Sequence, residues 1–185
     1  MLSKWRSNAL QTETANFDGG SRSVQFFDHL INQAWTSILQ NFDNLNRLMN
    51  ETTNYDNGIR QVNYLDYQIN QNWINIIDVF SSGSVLQTET TNYDNGTRQV
   101  FYNDWQPGST NAWTSITDLF DNLNRPSVET VRYDTGNRIE TDFDQNTTNN
   151  ANGEFTWAKD VYTYNATNVL IQHYQIMDDG STLFL

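Results

Sequence analysis

Apolar and polar residues alternate with a period of two along most of this chain. Ile38, Gln40 and Phe42 form one period-two set, as do Ile76, Asp78 and Phe80, and then Ile116, Asp118 and Phe120. A period of two places successive side chains on opposite faces of a pleated strand. Thr, Tyr, Trp, Val and Ile dominate these runs, and Asn, Asp and Gly punctuate them every 8–12 residues, which is the signature of short strands and tight turns. A helical period can be laid on Ala34–Leu48, but the same segment recurs elsewhere in forms that do not support it. The pattern predicts an all-β fold of tandem antiparallel β-hairpin repeats, stacked as an elongated twisted sheet or a solenoid-like rod.

The runs are copies of one another. Thr88–Asp104 reads TETTNYDNGTRQVFYND and Glu51–Asp66 reads ETTNYDNGIRQVNYLD, with looser copies at Glu13–Asp28, Glu129–Asp144 and the C-terminal end. Gly20, Gly58, Gly96, Gly136 and Gly180 follow one another at spacings of 38, 38, 40 and 44 residues, and Trp35, Trp73, Trp113 and Trp157 at 38, 40 and 44. Two independent markers drift together, so insertions have accumulated in one connection per period, before each Trp. These markers divide the chain into a lead-in or cap (1–10), repeats at 11–50, 51–87, 88–128 and 129–172, and a terminal capping strand at 173–185. Each repeat is expected to hold four short strands running up and down.

Two turn signals recur. Asn57-Gly58 and Asn95-Gly96 are expected to form two-residue type I′ turns with positive φ at both positions. That register pairs Tyr55 with Arg60 and Tyr93 with Arg98, Thr53 with Val62, and Glu51 with Tyr64. It predicts an arginine–tyrosine cation–π contact in each copy. The second signal follows each Trp segment and reads Asp-Asn-Leu-Asn-Arg at 43–47 and 121–125, where its Asn residues tolerate left-handed backbone.

Composition narrows the function. The 185 residues carry a net charge of −12 with no Cys, and 14% are aromatic. Such a surface repels phosphate backbones and anionic membranes, so nucleic-acid binding and membrane insertion are not expected. No apolar run reaches the length of a spanning helix. Met1–Arg6 lacks an apolar region of signal-peptide type, and the repeats read as a piece of a longer chain.

Tyr-Asp-x-Gly-x-Arg alternating with Phe-Asp-Asn-Leu-Asn-Arg, over about residues 11–185, resembles the YD-type, RHS-like hairpin repeats of bacterial secreted and surface proteins. It is also similar to Trp- and Asp-Gly-containing repeats found beside RTX segments in large secreted proteins of rhizobial type. The resemblance implies export within a long multi-repeat protein, a secreted or cell-surface location, and a structural or adhesive role. The fourth copy departs from the pattern, with Asp160 in place of Ile116 and Glu140 in place of Val62 and Val100; it reads as an edge or a degenerate copy.

Chemistry-bearing residues are sparse. His29 and His173 lie far apart, and no nucleophile elbow, phosphate-binding glycine loop or zinc motif is present. Asp28, Asp66, Asp104 and Asp144 recur at one repeat position, as residues that solve a backbone problem do; paired carboxylates of a hydrolase rank third among the readings, and no catalytic residue is assigned. Asp56, Asp94 and Asp134 begin the glycine turns. They are the candidates for calcium, the one cofactor considered, against the simpler reading that Asp accepts hydrogen bonds from turn amides. The tryptophans are expected to form a column of core rings, one per repeat. Trp105 stands alone on the inserted loop before Pro107-Gly108 and is the candidate surface contact. The leading expectation is a non-catalytic structural or adhesin-type module whose partners are neighbouring repeats and a host surface; the alternative is a glycan-binding module using exposed tryptophans.

Overall fold

The computed structural model describes residues 11–28, 33–104, 109–145 and 157–185. Alternation becomes strand throughout: β1 (Gln11–Asn16), β2 (Arg22–Phe27), β3 (Trp35–Phe42), β4 (Leu48–Tyr55), β5 (Arg60–Leu65), β6 (Trp73–Phe80), β7 (Leu86–Tyr93), β8 (Arg98–Asn103), β9 (Trp113–Phe120), β10 (Pro126–Tyr133), β11 (Arg138–Phe143), β12 (Trp157–Tyr164), β13 (Leu170–Met177) and β14 (Thr182–Phe184). No helix interrupts them among the described residues. Two compact units are formed, Met1–Leu86 and Gln87–Leu185. In the first, β1 to β6 pair antiparallel in sequence order; in the second, β7 to β14 do the same. The all-β expectation holds, as tandem antiparallel hairpins.

The period contains three strands, not the expected four: β2–β4 recur as β5–β7, β8–β10 and β11–β13. The connection that leads to the Trp of a period is a loop where all its residues are described, at 66–72 between β5 and β6, as its tolerance of insertions predicts. Asp28 and Asp66 close it, donating N–H to the carbonyls of Thr36 and Ile74. Each then accepts the amide five residues on with its carboxylate, from Gln33 at 2.8 Å and from Gln71 at 2.9 Å. Asp104 and Asp144 make the same backbone bonds, to Thr114 and Ala158.

The register differs by one residue from the type I′ expectation. Asn54 pairs with Arg60, Thr52 with Val62 and Asn50 with Tyr64; in the second unit Asn92 pairs with Arg98 and Thr90 with Val100. The loop has three residues, because Tyr55 N–H reaches the carbonyl of Ile59 at 2.8 Å while Gly58 N–H returns to Tyr55. Gly58 alone has positive φ, at 82°, and Asn57 does not. A type I turn followed by one left-handed residue has this pattern, a G1 bulge.

Within each unit, no second layer covers either face among the described residues. The buried apolar residues are Val24, Val62, Val100 and Val161, and no side chain there is fully buried. Cross-strand pairs on each face therefore supply most of the cohesion. The tryptophans, expected as the core, are half-buried at the first residues of β3, β6, β9 and β12. Paired rows fix which residues share a face. Val24 lies in the row Gln40–Glu51–Asn63, whereas its repeat equivalent Val62 lies opposite Thr52 and Asp78, on the other face.

Candidate functional site

Each copy builds the same group of side chains. Arg22, Arg60, Arg98 and Arg138 open β2, β5, β8 and β11, directly across from Phe42, Phe80, Phe120 and Tyr164. Each guanidinium lies over its ring, at 4.2, 4.4, 4.3 and 4.2 Å from the centroid. The cation–π contact is thus present in every copy, but its ring is not Tyr55 or Tyr93, since the one-residue shift hands each arginine to the next strand. Arg22 Nε also donates to Asn46 Oδ1 at 2.8 Å. The Nε atoms of Arg60, Arg98 and Arg138 are buried with no hydrogen-bond partner, so the ring face is the compensation for their lost water. Such contacts contribute about 0.5–2 kcal/mol depending on desolvation.

The Asp-Asn-Leu-Asn-Arg turns are held by one carboxylate. Asp43 Oδ1 accepts the N–H groups of Leu45 (2.9 Å) and Arg47 (2.8 Å), and Oδ2 accepts Arg47 Nε at 2.8 Å and pairs with its terminal nitrogen at 2.6 Å. Asp121 repeats this with Leu123 and Arg125. Burial pushes Asp43 upward, but the Arg47 and Leu45 bonds outweigh it and hold the carboxyl below its ordinary 3.8. Asp121 is lowered chiefly by the Arg125 amide. In the glycine turns the acceptor is the Asn instead: Asn57 Oδ1 takes Ile59 N–H at 3.0 Å and Asn95 takes Thr97 N–H at 3.0 Å. Asp56, Asp94 and Asp134 are exposed at these turns, and their carboxylates are not the amide acceptors expected of them. The described residues contain no group of three or more His, Asp or Glu arranged to hold a metal ion.

The middle row varies from copy to copy. In the first, Gln40 Nε2 donates across to Glu51 at 2.7 Å. In the third the same pair is Asp118 and Glu129. In the fourth it is Tyr162 and His173, stacked at 4.3 Å with 16° between their planes.

That fourth pair belongs to a polar cluster of the second unit. Asp160, only 7% exposed, accepts Tyr162 Oη at 2.9 Å and Gln175 Nε2 at 3.2 Å on Oδ2, and meets His173 Nε2 at 2.7 Å on Oδ1. Burial raises the Asp160 carboxyl, yet the bonds from Gln175, Tyr162 and His173 hold it below 3.8. Its hydrogen bond to Asp160, with burial, pushes the Tyr162 phenol up to about 12. Asp142, the direct partner of Asp160 across β11 and β12, is raised by burial, then by Glu140 and Asp160. An ionised Asp160 is an acceptor only, so His173 Nε2 donates to it. The cluster thus fastens β12 to β13.

Sequence reasoning named His173, Asp160 and Glu140 separately and did not join them. The available signal was that these departures from the repeat fall at positions the register brings together. Trp105, His29, Pro107 and Gly108 lie outside the described residues. A shallow hollow of about 450 Å³ lies in the second unit between the Tyr93–Thr97 turn and β9, with Arg98, Gln99 and Phe120 on its wall. No protein-family model matches the chain, and no curated protein matches it.

Proposed function

We propose that this chain is a non-catalytic structural module, of the adhesin type, within a larger exported bacterial protein of the YD/RHS-like and RTX-associated kind. The observation that carries the reading is recurrence. The arginine–ring stack stands in all four copies with centroid distances between 4.2 and 4.4 Å. The Asp160 cluster, which does not recur, ties strands together with every oxygen of that carboxylate occupied. A repeated solution to a repeated backbone problem belongs to a scaffold, whereas an active site is a single constellation.

A glycan array probed with the 185-residue chain and with Trp105→Ala tests this. The expected result is no glycan bound above background by either. A defined glycan bound by the parent and lost in the variant would replace the scaffold reading with the glycan-binding one. A second test removes one period. Deleting residues 51–88 joins Asn50 to Glu89 and restores the text of β4 and β7 as one strand. A modular scaffold stays folded, with an all-β far-UV spectrum and a smaller urea m value in proportion to the surface removed.

A further inference from the structure

We propose that Asp118 and Glu129 form a proton-sharing carboxyl pair, a latch that joins β9 to β10 more firmly when the surroundings turn mildly acidic. Position carries the argument first. The two residues are direct partners in the β9–β10 register, on one face. The same position in the first copy holds Gln40 and Glu51, whose amide donates to the carboxylate at 2.7 Å. Gln40 is a permanent donor aimed at a carboxylate; Asp118 becomes an equivalent donor only when protonated. In the ionised form two carboxylates face each other across the strands, and Asp118 Oδ1 is buried without a hydrogen-bond partner. An unpartnered buried oxygen and a like-charge neighbour both favour taking up a proton.

The surroundings do not neutralise the pair. Asp118 also faces Val100, its partner on β8, with Arg98 and Tyr102 flanking on the same strand and face. Arg98 is committed to the Phe120 ring at 4.3 Å, and its Nε has no hydrogen-bond partner. Beyond Glu129 the next residue in the row is the uncharged Thr141, and beyond Val100 it is Thr90. Burial, and then the Glu129 charge, raises the Asp118 carboxyl above its ordinary 3.8. The sign follows: a group raised in the folded state binds its proton more tightly there than in the unfolded chain. Stability is therefore gained as pH falls through the raised value towards 3.8. The proton comes from solvent, and the new Asp118 O–H donates to a Glu129 oxygen with no other bond changed.

Asp118→Asn supplies the donor permanently and tests the latch. Thermal unfolding followed by circular dichroism at pH 7 should show the variant melting about 2–4 °C above the parent, the shift expected for roughly 1 kcal/mol in a chain of this length. The gap should close as pH approaches 4, where the parent acquires its own donor. Glu129→Gln should give the same pH-dependent gap from the other side of the pair. A carbon-detected NMR titration of the parent should place the Asp118 carboxyl above its ordinary 3.8, and this reading stands even if a variant fails to fold. Variants no more stable than the parent at pH 7, a gap indifferent to pH, or an Asp118 carboxyl that titrates at or below its ordinary 3.8 would each overturn the proposal.

Discussion

The turn from Tyr55 to Ile59 and the turn from Asp43 to Arg47 follow one backbone path with different side chains. Both close through an amide-to-carbonyl bond four residues on, at 2.8 and 3.0 Å, and both place one residue in left-handed space, Gly58 at φ 82° and Asn46 at 62°. They differ in what makes that residue tolerable. The glycine turns sit beside the next turn along the same edge. A Cβ added at Gly58 would come 2.9 Å from the Ser82 Cβ, and one at Gly136 would come 2.9 Å from Ala166. Here glycine answers both to backbone angle and to a neighbour. The Asp43 and Asp121 turns instead spend an Asp on the loop amides and an Arg on the Asp. One path thus admits two chemistries, selected by what lies alongside.

Five substitutions bear on this comparison. The largest effect is expected at Gly58→Ala, which meets strain and collision together, and should lose about 2–3 kcal/mol by urea unfolding. Gly180 has the same φ of 82° with nothing within 4 Å, so Gly180→Ala should lose only the conformational part, about 1 kcal/mol. Equal losses at the two sites would break the distinction. Next comes Asp121→Ala, which strips the loop of its acceptor and leaves Arg125 without a partner. Its melting temperature should drop by several degrees at pH 7. Because the Asp121 carboxyl is lowered in the folded state, its contribution is present above 3.8 and lost as pH falls through the lowered value, so parent and variant should converge in strong acid. Ser84, at φ 62°, holds the left-handed position of an Asp-less turn. Ser84→Gly should gain about 1 kcal/mol, and a loss there would show that the hydroxyl contributes more than the angle costs. The smallest effect is expected for Arg98→Met, which keeps the stem over Phe120 and removes the charge, at about 0.5–1 kcal/mol.

Much of the fold can be read from the repeated text. The glycine and tryptophan spacings locate every period, and alternation around Ile38, Ile76 and Ile116 identifies strands that the structure contains. The turn register resisted because Asn57-Gly58 serves a two-residue and a three-residue loop equally well at the level of residue preference. The deciding contact lies outside the hairpin. Arg60 stacks on Phe80 of the following strand, so its ring partner is set by the β5–β6 pairing rather than by the turn. The Asp160 cluster was hidden for a related reason: Asp160, Tyr162, His173 and Gln175 converge only once β12 and β13 are aligned through a shifted register at both ends. Individual residues announce propensity, whereas partners across strands depend on a count that one loop residue changes.

Three is an odd number, and in an up-and-down sheet that has a consequence for any partner. Val24 and Val62 are the same residue of successive copies and lie on opposite faces, as do Arg98 and Arg138 in the second unit. Duplicating one period therefore writes the copy on the reverse of the page. Within each unit, a partner lying along one face meets only alternate copies, and the copies between them address the other side. Multivalent attachment to a flat surface would then grow by pairs of periods, because the smallest duplication that adds a second equivalent contact on one side is two.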